Sequence, residues 1–302
     1  MSIIAVLDLG GSSLKFGYGT TTAGLIWDSK IELTQISRKD IYAVIEDAVT
    51  QICNHSGETL TAIVLGSPGQ VNSETGQIIS GSPNLPDWKG ANPGHYLREI
   101  FSVPVQVEND ANLMAFGEAG RWNYEKTVLG ITLGSGIGGG FVEGGKIFRG
   151  SGFSALEIGH TIVHPGGRSC LCGKKGCLEA YSSAASLLRQ VEEAGVNEVG
   201  FLSLQTLLEK CDSNPIIKKI VEESVELLAL AIANVAIILD PDIIVIGGGM
   251  SDIPAFNYDL LCSNIARFRE DNTSREWDLR PAYYGNKAAL RGGIYLSAKK
   301  KV

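Results

Sequence analysis

Short apolar runs alternate along this chain with longer stretches that carry apolar residues at helical spacing. Ile3 to Leu9 is a continuous apolar run and predicts a buried strand, followed by a second apolar stretch from Leu14 to Tyr18. Residues 40 to 53 have the spacing of an amphipathic helix. Ala62 to Leu65 and Val103 to Val107 are β-branched runs bounded by turn residues and predict further strands, and Asp110 to Gly120 predicts a helix. Val128 to Leu133 is again a strand, helical patterns follow at 179 to 193, 203 to 211 and 215 to 239, a strand at Ile243 to Ile246, and a last helix at 287 to 298. Strands and helices are mixed throughout, without a low-complexity linker, which predicts an α/β chain.

Glycine punctuates the strands in a repeated way. The first strand runs into Asp8-Leu9-Gly10-Gly11-Ser12-Ser13-Leu14-Lys15, and Val128 to Leu133 runs into Gly134-Ser135-Gly136-Ile137-Gly138-Gly139-Gly140. These strand, glycine-turn, strand units lie about 120 residues apart, one for each of two domains. Glycines let the main chain approach a ligand closely, and successive N–H groups in such a turn form an anion-binding concavity. Hydroxyls of Ser12 and Ser13 and the Lys15 ammonium add donors for phosphate oxygens, and Asp8 could orient hydrated Mg²⁺. One Gly-Gly turn is equally a plain hairpin turn. Two of them together with Gly247-Gly248-Gly249 make a three-point nucleotide cradle the more economical reading. The P-loop and dinucleotide fingerprints are both absent.

Length and charge exclude several classes. A chain of 302 residues is about two domains long. No apolar run approaches the roughly 20 residues needed to cross a bilayer, and nothing at the N-terminus resembles a secretory signal, so a cytoplasmic protein is expected. A net charge of -7 argues against broad contact with nucleic acid, and the one basic run, Lys299-Lys300-Lys301, reads as a solvated tail.

Two clusters carry candidate chemistry. His160, Cys170, Cys172 and Cys177 have the spacing His-x9-Cys-x-Cys-x4-Cys, one imidazole and three thiolates that suit a closed, structural tetrahedral zinc. Gly173 and Gly176 allow the sharp turn that would bring Cys172 and Cys177 to one ion, and Glu157 and Glu179 bracket the segment. Unrelated cysteines or a disulfide would be the alternative, which an intracellular chain disfavours. Cys53, Cys211 and Cys262 read as buried small hydrophobes. The second cluster is Glu108-Asn109-Asp110-Ala111-Asn112, where a strand hands over to a helix. On position alone Asp110 is an ordinary helix N-cap. Phosphoryl transfer to an alcohol, however, needs a carboxylate to accept the hydroxyl proton, and Asn109 and Asp110 could supply hydroxyl recognition and base together.

DLGGSSLKFG at 8–17, GSPG at 66–69, ENDAN at 108–112, LGSGIGGG at 133–140, EIGH at 157–160, CLCGKKGCLE at 170–179 and IGGGMS at 246–251 occur in the order seen in sugar kinases of the ROK family. The chain resembles that family from about Ile3 to about Ala298. The resemblance implies a two-domain, actin-like (ribonuclease H-like) α/β ATPase fold with an interdomain cleft and a structural zinc loop. It implies a smaller domain of 1–117 plus about 286–302 and a larger one of 118–285. It implies Asp110 as general base for a sugar hydroxyl, usually O6 of a hexose, and sugar contacts from Gly66, Ser67, Asn84, Asn109, Glu157, His160 and Glu179. His160 would ligate zinc through one ring nitrogen and face the sugar with the other, with His164 as the competing ligand. The phosphates of ATP-Mg²⁺ would lie on the loops at 8–15 and 133–140, with adenosine near Gly247 to Gly249.

The expected activity is ATP-dependent phosphorylation of a hexose or N-acylhexosamine, with glucose and N-acetylmannosamine favoured. β-Glucosides come second, and fructose is disfavoured by the pattern of the zinc segment. Homodimers are common in the family. The same family includes sugar-sensing repressors with an added N-terminal DNA-binding domain, and a phosphate motif starting at Asp8 argues against that reading, as do Asp8, Asp110 and both glycine loops against a silent sugar-binding protein. Serines at 12 and 135 stand where the family often has threonine and keep the hydroxyl. Gly292 and Gly293, where alanines are more usual, are expected to weaken the last helix by about 1 kcal/mol each.

Overall fold

After its first residue, β1 (Ser2–Leu9) is buried throughout, as expected of a strand covered on both faces. The computed structural model describes residues 2–33, 38–81, 85, 87–196, 203–269 and 276–299. In it β1 is the middle of a five-stranded sheet. On one side lie β2 (Ser13–Thr20) and β3 (Gly24–Glu32), both antiparallel to their neighbours. After α1 (Arg38–Ser56), β4 (Thr59–Ser67) pairs parallel to β1 on its other side. A small hairpin of β5 (Val71–Asn72) and β6 (Gln77–Ile78) and then α2 (Pro93–Phe101) lead to β7 (Val105–Asn109), parallel to β4. The strand order is β3-β2-β1-β4-β7.

Chain order continues with α3 (Asp110–Ala119), β8 (Val128–Leu133), β9 (Ile137–Glu143), β10 (Lys146–Ile147), α4 (Glu179–Ser182), α5 (Ala184–Glu193), α6 (Leu204–Glu209) and α7 (Pro215–Leu239). It closes with β11 (Ile243–Gly247), α8 (Tyr258–Phe268), β12 (Asp278–Pro281) and α9 (Ala288–Lys299). The second sheet has the order β10-β9-β8-β11-β12, with β11 parallel to β8 and to β12. Equating β8 with β1 gives the two sheets one strand order, and the strand and glycine turn repeated in the sequence take the same place in each.

Contacts divide the chain into two units. Unit 1 comprises 1–126, 140–155 and 287–302, and unit 2 comprises 127–139 and 156–286. Unit 1 thus runs past 117, where the sequence suggested a boundary. Tyr124 packs on Phe116 and edge-on to Tyr295, which holds the segment after α3 in that unit. Strand β9 begins in unit 2 and ends in unit 1, where β10 pairs with its last residues.

The period of two along β1 separates two cores. Ile3, Ala5, Leu7 and Leu9 join Phe16, Ile45, Val49, Leu65, Trp88 and Val107 on the α1 face. Ile4 and Val6 join Val64, Leu113, Leu290 and Ile294 on the α9 face. The pattern at 179–193 is two helices, because Ser183 is extended (φ -77°, ψ 155°) and its side chain accepts the Ser186 N–H to cap α5. Strands β3 and β12 and helices α2 and α8 were not read from the sequence. β3 is an outer strand whose residues are mostly half-buried, and β12 has only four residues, so neither leaves an apolar run. Among the described residues no helix is long and apolar enough to cross a membrane.

The glycines of α9 have a packing reason. A Cβ on Gly292 would collide with the main-chain oxygen of Leu113, and one on Gly117 with that of Ala288. The backbones of α3 and α9 therefore pass at a distance only glycine permits, and the expectation that Gly292 merely weakens its helix is reversed at this position. Gly292→Ala and Gly117→Ala are each expected to destabilise by about 1–3 kcal/mol, although alanine is intrinsically the better helix former. Denaturant unfolding of the two variants measures it, and a stabilised variant would contradict the close crossing.

Candidate active site

Three parallel strands of unit 1 end side by side. The ladder pairs Asp8 of β1 with Gly66 of β4, Gly66 with Glu108 of β7, and Ser67 with Asn109. Residues about 58 and 42 apart in sequence therefore form one row at the carboxyl ends of the strands, where open α/β sheets bind ligands.

At one end of the row, Asp8 is buried and Lys15 Nζ donates to its Oδ2 at 3.3 Å across the β1–β2 ladder. Burial holds the Asp8 carboxyl above its ordinary range, with the Lys15 charge and hydrogen bond opposing it. Between them the chain turns tightly: Gly10 N–H donates to Ser13 O at 2.8 Å, Gly11 is half-buried, Ser12 is exposed, and Ser13 is buried within β2. Gly66 and Ser67 are buried in the middle of the row, and Ser67 Oγ accepts the indole N–H of Trp88 at 2.9 Å. Trp88 is itself fully buried, so it packs inside unit 1. Asn84 lies outside the described residues.

The other end of the row is the start of α3. Asn109 is extended (φ -64°, ψ 141°) and caps the helix, its Oδ1 accepting Asn112 N–H at 3.0 Å, while its Nδ2 donates to Gly69 O at 3.1 Å. Asp110 follows as the first helical residue, half-buried, with Oδ1 accepting Ala111 N–H at 2.9 Å. The N-cap is thus Asn109, which leaves Asp110 outside the capping role that its sequence position alone would allow.

Unit 2 carries the second glycine turn. Gly134 N–H donates to Gly136 O at 3.0 Å, Gly138 N–H donates to Thr132 Oγ1 at 3.2 Å, and Ser135 is exposed. Glu179, at the start of α4, accepts the Ile137 N–H on Oε2 at 2.9 Å. A Cβ on Gly136 would lie 2.7 Å from that oxygen. Glu179 therefore clasps the turn itself, a link that spacing alone did not reveal. The turn after β11 comes close to the end of β8: Met250 N–H donates to Leu133 O at 3.0 Å, and a Cβ on Gly248 (φ +92°) would strike the Leu133 backbone. Gly247 ends β11 itself. By contrast, a Cβ on Gly134 or Gly249 would meet no protein atom within 4 Å. Packing thus accounts for Gly248, whereas Gly134 and Gly249 expose bare main chain.

The ligand atoms of His160, Cys170, Cys172 and Cys177 lie within 4.8 Å of one another. His160 Nδ1 is 3.8 Å from Cys170 Sγ, and the sulfurs of Cys172 and Cys177 are 3.6 Å apart. Gly173 and Gly176 both take left-handed conformations, at φ +86° and +84°. Isolated bridges pair Ile162 with Cys177 and Ser169 with Lys175. His164 stacks on Tyr181 instead and is not part of the cluster. Burial and the neighbouring thiols push Cys177 up to about 12, and burial raises Cys170. At Cys172 burial is outweighed by hydrogen bonds from Lys174 N–H and the other thiols, which lower it. Three thiols this close cannot all ionise unaided, and a divalent cation would reverse that, so the donor set fits zinc. Glu157, just before the turn Ile158–His160, is raised by burial, with His160 lowering it and Glu179 raising it.

One arrangement in unit 1 was missed entirely: the buried Glu108 carboxylate is gripped by Arg149, from a residue pair 41 positions apart. No spacing rule points to it, because the two meet only through the packing of β10 beside α3.

The chain is similar to known proteins along most of its length. A model of the ROK family matches residues 4–300. A glucokinase of Halalkalibacterium halodurans is 34% identical over 313 aligned residues, covering 96% of this chain and 93% of that protein. A glucokinase of Thermotoga maritima is 32% identical over 262, covering 81% of each. The structure of a ROK family glucokinase from Streptomyces griseus, solved with glucose and AMPPNP, superimposes with a TM-score of 0.84 at 27% identity, over 98% of this chain and 99% of that one. With a match along almost its whole length and the strand order repeated in both sheets, the chain belongs to the ROK family, as a carbohydrate kinase of the actin-like ATPase fold.

Proposed function

We propose that this protein transfers the γ-phosphoryl group of ATP to a hexose, at O6, with glucose as the first candidate substrate and N-acetylmannosamine as the second. The observation that carries the reading is the half-buried Asp110 carboxylate at the first turn of α3, directly after Asn109, which closes the row of strand ends that begins at Asp8. Glucose leads because both relatives described above are glucokinases.

Asp110 accepts the proton of the attacking hydroxyl as its oxygen bonds to the γ-phosphorus and the bond to the β,γ-bridging oxygen breaks, releasing ADP. Asn109 orients the hydroxyl. Main-chain N–H groups of Gly11, Ser12, Ser135 and Gly136 at the tips of the two turns, with Lys15 and the Ser12 and Ser135 hydroxyls, hold phosphate oxygens. The exposed backbone at Gly249 supports an adenosine contact. Mg²⁺ would be held by the buried Asp8 carboxylate, where it supplies charge neutralisation on the phosphates. Glu157, His160 and Glu179 bind sugar hydroxyls. His160, Cys170, Cys172 and Cys177 would hold zinc, which would supply a structural tie for the segment bearing these groups and no chemistry, His160 offering Nδ1 to the metal and Nε2 to the sugar.

ADP release measured against glucose, N-acetylmannosamine, N-acetylglucosamine and β-glucosides is expected to give turnover with glucose first, and no turnover with any of them would sink the kinase assignment. Asp110→Asn keeps the acceptor for Ala111 N–H, so it is expected to remain folded and to bind sugar while kcat falls about 10²–10⁴-fold. Near-normal turnover in that variant refutes the base. Chelation, or Cys172→Ser, is expected to raise the sugar KM several-fold or more before the protein unfolds. A metal-free protein with unchanged sugar affinity would separate the cysteine cluster from the pocket.

A further inference from the structure

We infer that Glu108 and Arg149 are positioning residues for the Asp110 base, joined by an ion pair with a buried carboxylate and a partly exposed guanidinium that sets the bearing of the first turn of α3. The inference rests on the kinase reading above and names two residues that the reading does not use.

Glu108 is 1% exposed and all four of its bonds are charge-assisted. Oε1 accepts the Asn109 N–H at 3.0 Å and Asn112 Nδ2 at 3.0 Å. Oε2 accepts Arg149 Nε at 2.7 Å and lies 2.6 Å from Arg149 Nη2. Arg149 Nη1 also reaches Ile147 O at 3.4 Å, so the guanidinium is tied to β10. The carboxylate thus holds the residues on both sides of Asp110, and through Arg149 it ties that turn to a separate strand. Asn109 alone satisfies the ordinary cap, accepting Asn112 N–H without help. With the carboxylate buried and the guanidinium partly exposed, the pair is a poor source of net stability, since desolvation of the carboxylate offsets much of the attraction, and apolar substitutes for such pairs are often as stable. Its yield here is orientation. A carboxylate base must meet its hydroxyl within hydrogen-bond reach, and a shift of about 1 Å is enough to slow a reaction by up to 10²-fold.

The single variant Arg149→Met would leave a bare carboxylate in the interior and could fail to fold. Glu108→Gln/Arg149→Met avoids this, because the Gln oxygen still accepts from Asn109 and Asn112 while the charge and the tie to β10 are gone. In the full chain, with the preferred sugar from the panel, this folded double variant is expected to lose about tenfold or more in kcat with sugar affinity within about twofold of the parent. Arg149→Lys, which keeps the charge and one donor, is expected to fall between the two. A folded double variant with parental kcat overturns the inference. So does a parallel loss of kcat and sugar affinity, which would mean general collapse of the row, and so does Arg149→Lys slower than the double variant. The kinase reading fails separately, by an inactive parent or an active Asp110→Asn.

Discussion

The parallel register of β1, β4 and β7 is the constraint on which the rest of unit 1 depends. A parallel ladder leaves no freedom in which residues stand opposite one another, and a slip of one position would turn every side chain to the other face. Burial on both faces locks it: Leu7 and Leu65 belong to one core and Val6 and Val64 to the other, so no alternative register satisfies both. With the strands locked, Asp8, Gly66, Ser67, Glu108 and Asn109 line up at their ends, and the polar groups of a reaction centre come to the edge of an apolar sheet.

Polar groups at that edge are costly to bury, and the structure meets the cost in two ways. Asp8 and Glu108 each have a cation beside them, Lys15 across the β1–β2 pair at 3.3 Å and Arg149, just past β10, at 2.6 Å. In unit 2 the three cysteine thiols lie with His160 in a donor set that fits a metal ion. Glu179 uses a third means, an N–H of the glycine turn. The clasp ties a carboxylate proposed to read sugar hydroxyls directly to a backbone loop proposed to hold phosphate, through one 2.9 Å hydrogen bond.

Much of this was legible because chemistry with a strict requirement leaves a strict pattern. Buried strands such as β1 and β8 appear as apolar runs, α7 matches its pattern at both ends, and the thiols and His160 show in their spacing. Glycine was legible as a type and not as a role. Gly248 is dictated by the approach of its turn to Leu133, and Gly292 by the crossing of α3 and α9, while Gly134 and Gly249 meet no such neighbour. Nothing within a local window distinguishes these, because the atom that forbids a Cβ comes from a distant part of the chain. Asp110 behaves likewise. Its position suits a cap or a base equally, and only the observation that Asn109 makes the capping bonds assigns the first role elsewhere.

By itself, then, the sequence determined the repeated strand and glycine-turn plan, the metal-type donor set and the family resemblance, since each is written in residue type and spacing along a continuous stretch. The tertiary structure alone decided which residues share an edge, that Glu179 holds the glycine turn, that Arg149 neutralises Glu108, and that the helix glycines are needed for close packing. The physical reason is common to all of them. Long-range contacts are selected by the burial of two cores at once, a condition on the whole unit that no local window carries.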